Sequence, residues 1–131
     1  MSLHLGIGPH QGRELELMLT GVKLCAIFHD ALPASGVIPE KIIPEQAFAP
    51  HVASGRFLRF AKDYKSGSHV IRYVCFTARN EEWRAHFLLW LKDRFYNGEN
   101  VDHSDEIMEG RILGYAEDEI KAFLPTNTPY L

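Results

Sequence analysis

Two neighbouring runs constrain this chain more than anything else in it. Residues 56–63 and 69–78 alternate in polarity and are rich in aromatic and β-branched side chains, the pattern of half-buried strands. Only Tyr64-Lys65-Ser66-Gly67-Ser68 separates them. A linker this short and rich in turn residues admits antiparallel pairing and excludes a crossover, so part of the fold is a β-hairpin. With residue 64 opposite residue 68, Leu58 pairs with Val74 and Phe60 with Arg72 on one face. Arg59 then meets Tyr73, and Asp63 meets His69, on the other. A slip of one residue exchanges the two faces.

A hairpin alone is marginal in water and needs an apolar cover. Asn80 has the chemistry of an N-cap, with Glu81 and Glu82 following at the positive end of a helix. That helix runs to about Tyr96 and stops at Asn97-Gly98. Trp83, Phe87, Trp90 and Leu91 form its expected inner stripe, widened by Leu88 and Phe95, which makes it the central core helix. Upstream, Leu15, Met18 and Leu19 have helical spacing before Gly21. Residues 22–28 are apolar apart from Lys23 and read as a strand buried on both faces. Residues 31–39 form a loop. Pro44 opens a short helix with Ala47 and Phe48 inward, broken at Pro50 with room for one further turn, and closed by Gly55.

After Asp102 or Ser104 a helix carries Ile107, Met108, Ile112 and Leu113 to Gly114. A last one over 117–124 turns Ile120, Phe123 and Leu124 inward, and residues 126–131 trail off extended. The expected fold is α+β, one domain over residues 1–131. In it a small sheet of about three strands, including the β-hairpin, packs in two layers against a central long helix and several short helices.

Composition narrows the class. The chain has 131 residues, 46% of them hydrophobic and 24% charged, which excludes a disordered or low-complexity scaffold. Cys25 and Cys75 are too few for a disulfide framework and sit in apolar runs, where a thiol is buried and inert. The N-terminus lacks the basic start and apolar core of a signal peptide. The densest apolar stretch, residues 87–91, falls far short of the roughly 20 residues that span a bilayer. The expectation is a cytoplasmic protein with no membrane association.

Catalytic signals are sparse. His29-Asp30 follows a buried strand and opens a loop, a position where a histidine could act as general base beside a carboxylate. It is the one candidate catalytic pair, and it supports an alternative reading as a small hydrolase or transferase. No serine sits in a nucleophile elbow. Gly6-x-Gly8 lacks the third glycine and the preceding strand of a dinucleotide fingerprint. The seven histidines are scattered. Glu82/His86 and His103/Asp105 are two-ligand fragments only, so neither a metal nor a cofactor is expected.

Charge distribution is the remaining signal. Residues 56–79 hold six cations and the single acid Asp63, a net +5, within a chain of net charge -3. Residues 99–121 hold eight acids and two cations. The candidate binding residues are therefore Arg56, Arg59, Lys62, Tyr64 and Lys65. Cations interleaved with aromatics on strands suit single-stranded nucleic acid or another polyanion. They also suit protection of a sheet edge, or pairing with the acidic C-terminal helices within or between chains. The preferred reading is a non-catalytic interaction module, binding a protein partner or a second copy through the basic hairpin and the acidic helices.

Overall fold

A computed structural model describes residues 8–125, 128 and 130. Helix α1 (Glu14–Leu19) leads to strand β1 (Cys25–Ala31), helix α2 (Glu45–Ala53) and the hairpin β2 (Phe57–Ser66) and β3 (His69–Ala78). Three helices follow: α3 (Glu82–Tyr96), α4 (His103–Ile112) and α5 (Glu117–Phe123). The α+β class and the element order agree with the sequence reading. The expected extended tail falls mostly, and Gly6 with His4 entirely, outside the described residues. Among the described residues, no helix is long and apolar enough to cross a membrane.

The sheet has the order β1-β3-β2, all antiparallel, with β3 in the centre. Ser66 pairs with His69, Phe60 with Cys75 and Leu58 with Thr77, so the register differs from the expected one by three residues. The connection is the two-residue Gly67-Ser68, with Gly67 at φ 62°. Positive φ at the first central position is what a type II′ turn demands, and its twist matches that of the strands. A five-residue loop would have given up that match and left Lys65 and Ser66 unpaired.

The two faces of the sheet carry separate cores, so the structure has three layers where the sequence suggested two. Ala26, Val74, Phe76 and Phe57 meet Met18 of α1, Ile43 and Phe48 of α2 on one face. Phe48 stacks on Phe76 with centroids 4.1 Å apart. On the other face Cys25 meets Leu88 of α3 and Ile112 and Leu113 at the end of α4. Alternation along the strands sends successive residues to opposite faces, which is why Cys25 and Ala26 belong to different cores.

Four local expectations change. The first strand starts at Cys25, extends through His29 and Asp30, and pairs beside the second hairpin strand. Helix α2 shows no break at Pro50; it runs on for the one further turn that the sequence allowed, to Ala53, and Gly55 at φ 82° closes it as expected. Asn80 does not cap α3: it adopts φ 68° in the turn before the helix, a left-handed conformation that asparagine tolerates. The fourth change concerns which side of α3 faces inward. Leu88 and Leu91 are buried as expected, joined by Ala85 and Lys92, and Phe87 is half-buried against the same core, while Trp83 and Trp90 are 52% and 49% exposed.

Candidate interaction surface

Three of the six cations of the basic hairpin are paired with acids of their own chain. Arg59 makes a two-pronged bond to Glu45 of α2, at 2.9 and 2.6 Å. Arg72 grips Asp63, its cross-strand neighbour, at 2.8 and 2.9 Å, and this bond holds the Asp63 carboxyl below its usual range. Lys62 donates to Asp93 of α3 at 2.7 Å, and the Arg56 guanidinium reaches the carbonyl of Leu19. Lys65 is exposed near the turn. Strand β2 is an edge strand, and cations along an edge oppose strand addition. The acids engaged belong to α2, α3 and the hairpin itself, not to the C-terminal helices. Those acids pair among α3, α4 and α5 instead, as Lys92–Glu109 (3.1 Å), Arg94–Asp105 (3.2 Å) and Arg111–Glu117 (2.6 Å).

Tyr64 is buried rather than presented to a ligand. Its ring stacks on Tyr96 at 4.6 Å, and its hydroxyl donates to Asp93 Oδ1 at 2.6 Å. Tyr73 joins the cluster through a 3.0 Å contact between its hydroxyl and that of Tyr96. Burial, reinforced by those bonds, raises the pKa of both Tyr64 and Tyr73. Partial burial works against ionisation of Asp93, but the bonds from Lys62 and Tyr64 outweigh it and hold its carboxyl below the ordinary range.

His29 lies flat on Tyr73, with centroids 4.9 Å apart, and its outer edge reaches solvent. Desolvation by the ring beneath it and the Lys92 charge lower its pKa. Asp30 is the next residue of the same strand, opposite Arg72 on the other face of the sheet. Alternation therefore keeps His29 and Asp30 from converging on one substrate. Of the paired ligand fragments, His86 packs edge-on against Phe60 at 5.1 Å, and His103 bonds Glu106 at 2.7 Å. Among the described residues, no three potential ligands gather where they could hold a metal ion.

A second polar feature lies beside the start of β1. Lys23 is 2% exposed. Its ammonium donates to His10 Nδ1 at 2.9 Å and to the carbonyl of Leu113, and it lies over the Tyr115 ring at 5.1 Å. Burial lowers its pKa to about 8; burial and the Lys23 charge together lower that of His10 to about 4. Every contact points inward, so this group clamps the chain before α1 to the α4–α5 corner.

The outward side of α3 is different in kind, because Trp83 and Trp90 lie half-exposed on it, while Phe87 between them packs partly against the core around Cys25 and Leu88. Trp83, Phe87, Trp90 and Arg94 are spaced 4-3-4 and fall on one line along the helix. Phe87 and Trp90 stack at 5.4 Å. Arg84 lies over Trp83 at 4.7 Å and Arg94 over Trp90 at 5.0 Å. Both guanidinium groups are fixed: Arg84 by Glu81 (2.8 Å) and the Ile112 carbonyl (2.9 Å), Arg94 by Glu99 (3.3 Å) and Asp105 (3.2 Å). The result is a rigid aromatic row edged by ordered cations. Sequence reasoning assigned these aromatics to the core because α3 carries two interleaved apolar stripes. Each ends in a cation, Arg94 on one and Lys92 on the other, so charge did not mark the wet side.

No protein-family model matches this chain, and neither curated proteins nor solved structures provide a significant match.

Proposed function

We propose that this chain is a non-catalytic protein-interaction domain whose contact surface is the outward face of α3. The observation that carries the reading is the pair of half-exposed tryptophans, Trp83 and Trp90, aligned with Phe87 and held in place by Arg84 and Arg94. Tryptophan, tyrosine and arginine dominate binding hot spots because they bury much area for little lost freedom. A preordered row avoids part of the entropic cost of binding. The basic hairpin is a weaker candidate, since Arg59, Lys62 and Arg72 already have acidic partners and Tyr64 is buried. A catalytic reading of His29 and Asp30 lacks support because the two side chains leave opposite faces of β1.

Site-specific photo-crosslinking tests this in the cell. A benzophenone amino acid replacing Trp90 should give a discrete adduct with another polypeptide, abolished by Trp83→Ala. The same group replacing Lys65 should give none. No adduct from position 83 or 90, or the same pattern from position 65, would overturn the proposal.

A further inference from the structure

We infer that the partner on this face is a second copy of the chain, docked so that the two α3 helices run antiparallel about a two-fold axis. The inference rests on the proposed role of the α3 face. The 4-3-4 spacing of Trp83, Phe87, Trp90 and Arg94 is that of a heptad seam, and a seam must be self-complementary to close on itself as a dimer. In antiparallel alignment centred on the row, Phe87 lies opposite the second copy's Trp90 and Trp83 lies opposite the second copy's Arg94. Ring meets ring, and each end of the row places a guanidinium on an indole, a favourable cation–π geometry. Each protomer supplies both halves of every contact.

Charge selects this direction over the parallel one. Glu82, on the flank of the row at its N-terminal end, has no ion-pair partner among the described residues. At the C-terminal end of the same flank stands Lys62, bonded to Asp93 at 2.7 Å yet 47% exposed, so that its ammonium has protons left to donate to a second carboxylate. A two-fold axis perpendicular to antiparallel helices brings like flanks together, so Glu82 arrives near the second copy's Lys62, twice per dimer. Parallel pairing, about an axis along the helices, would bring opposite flanks together, so Glu82 would not reach Lys62, and it would set Arg94 against Arg94. Antiparallel helices also place opposite ends of the macrodipoles together.

The face is modest in size. Helix α3 is about 22 Å long. A patch carried by one helix is small for a specific interface, which predicts a weak, reversible dimer.

Sedimentation equilibrium of the purified chain between low and high micromolar concentration provides the test, with circular dichroism to verify folding. The wild type should show a monomer–dimer equilibrium. Trp83→Ala/Trp90→Ala should weaken it at least tenfold while the thermal melt stays cooperative. Glu82→Lys should also weaken it, with an effect that fades in high salt. A dimer indifferent to the double substitution would overturn the inference. So would a wild type that stays monomeric. In that second case, an adduct from position 90 to a different polypeptide in the cell would leave the α3 surface standing, whereas no adduct would remove both readings.

Discussion

Replacing Lys23 with methionine isolates the energetics of the buried ammonium. Methionine has nearly the same length and no charge, so Lys23→Met removes the desolvated cation and leaves His10 Nδ1 and the Leu113 carbonyl without their donor. Losing that donor costs about 1–3 kcal/mol. Against it stands the cost of holding the charge inside, visible as a pKa lowered from 10.5 to about 8. Near pH 7, where the group is charged in both states, this shift corresponds to about 3 kcal/mol of lost stability. The two terms nearly cancel, so Lys23→Met should lie within about 2 kcal/mol of the wild type at pH 7.

The pH dependence is sharper. Between the folded and unfolded values the unfolded state binds more protons, so the contribution of Lys23 to stability rises with pH. From pH 7 to pH 9.5 the wild type should gain about 2 kcal/mol relative to Lys23→Met. Buried thiols and tyrosines, whose pKa values are raised, act in the opposite direction in both proteins. Cys25, the one that feels the Lys23 charge, is raised to about 12 and stays protonated at pH 9.5 in either, so the difference removes them. Urea unfolding of both proteins at the two pH values provides the assay. A difference that does not change with pH, or a variant destabilised by more than about 4 kcal/mol throughout, would refute the clamp energetics.

Three further outcomes follow from the packing. Leu88→Ala, at a fully buried position, should cost about 2–5 kcal/mol, whereas Trp83→Ala on the opposite side of the same helix should cost less than about 1 kcal/mol; urea titration of both checks which side of α3 is the core. Cys25 and Cys75 are free and buried, and burial raises both thiols, Cys25 to about 12. Both should therefore label with a thiol reagent far more slowly in the native protein than in urea. Gly110→Ala should cost about 1–3 kcal/mol by overpacking, because its new Cβ would lie 2.8 Å from Ile120 Cγ1; thermal denaturation should show the loss.

The elements with local chemical signatures were legible in the sequence. Helix α4 starts after Asp102, whose side chain accepts from Asp105 N–H at 3.1 Å while Asp105 accepts from Asp102 N–H at 3.2 Å, a reciprocal cap. Gly21 and Gly114 sit at φ 80° and 85°, where helix ends need a residue without Cβ. The errors lie where tertiary partners decide. Nothing local to β1 says that Lys23 will be buried under Leu113, ninety residues away. The charge asymmetry around the hairpin was real, but its meaning depended on Glu45 and Asp93, which the sheet brings to Arg59 and Lys62 from other elements. The inner side of α3 is likewise chosen by the strands beneath it. Compact Leu88 packs against buried Cys25, and the larger indoles are left half-exposed outside. The register of the hairpin was within reach, since Gly-Ser is a recognised two-residue turn pair.

Distances between spin labels test the antiparallel α3 pair most directly. Labels on His86→Cys and, separately, Asn97→Cys would be measured by pulsed dipolar spectroscopy at concentrations that favour the dimer. With helix axes about 8–10 Å apart and a rise of about 1.5 Å per residue, labels at position 86 should lie within about 20 Å of each other. Labels at position 97, at opposite ends of the pair, should lie beyond about 25 Å. Short distances at both positions would mean a parallel pair, and no dipolar coupling at either would mean that the aromatic face of α3 does not bind its own copy.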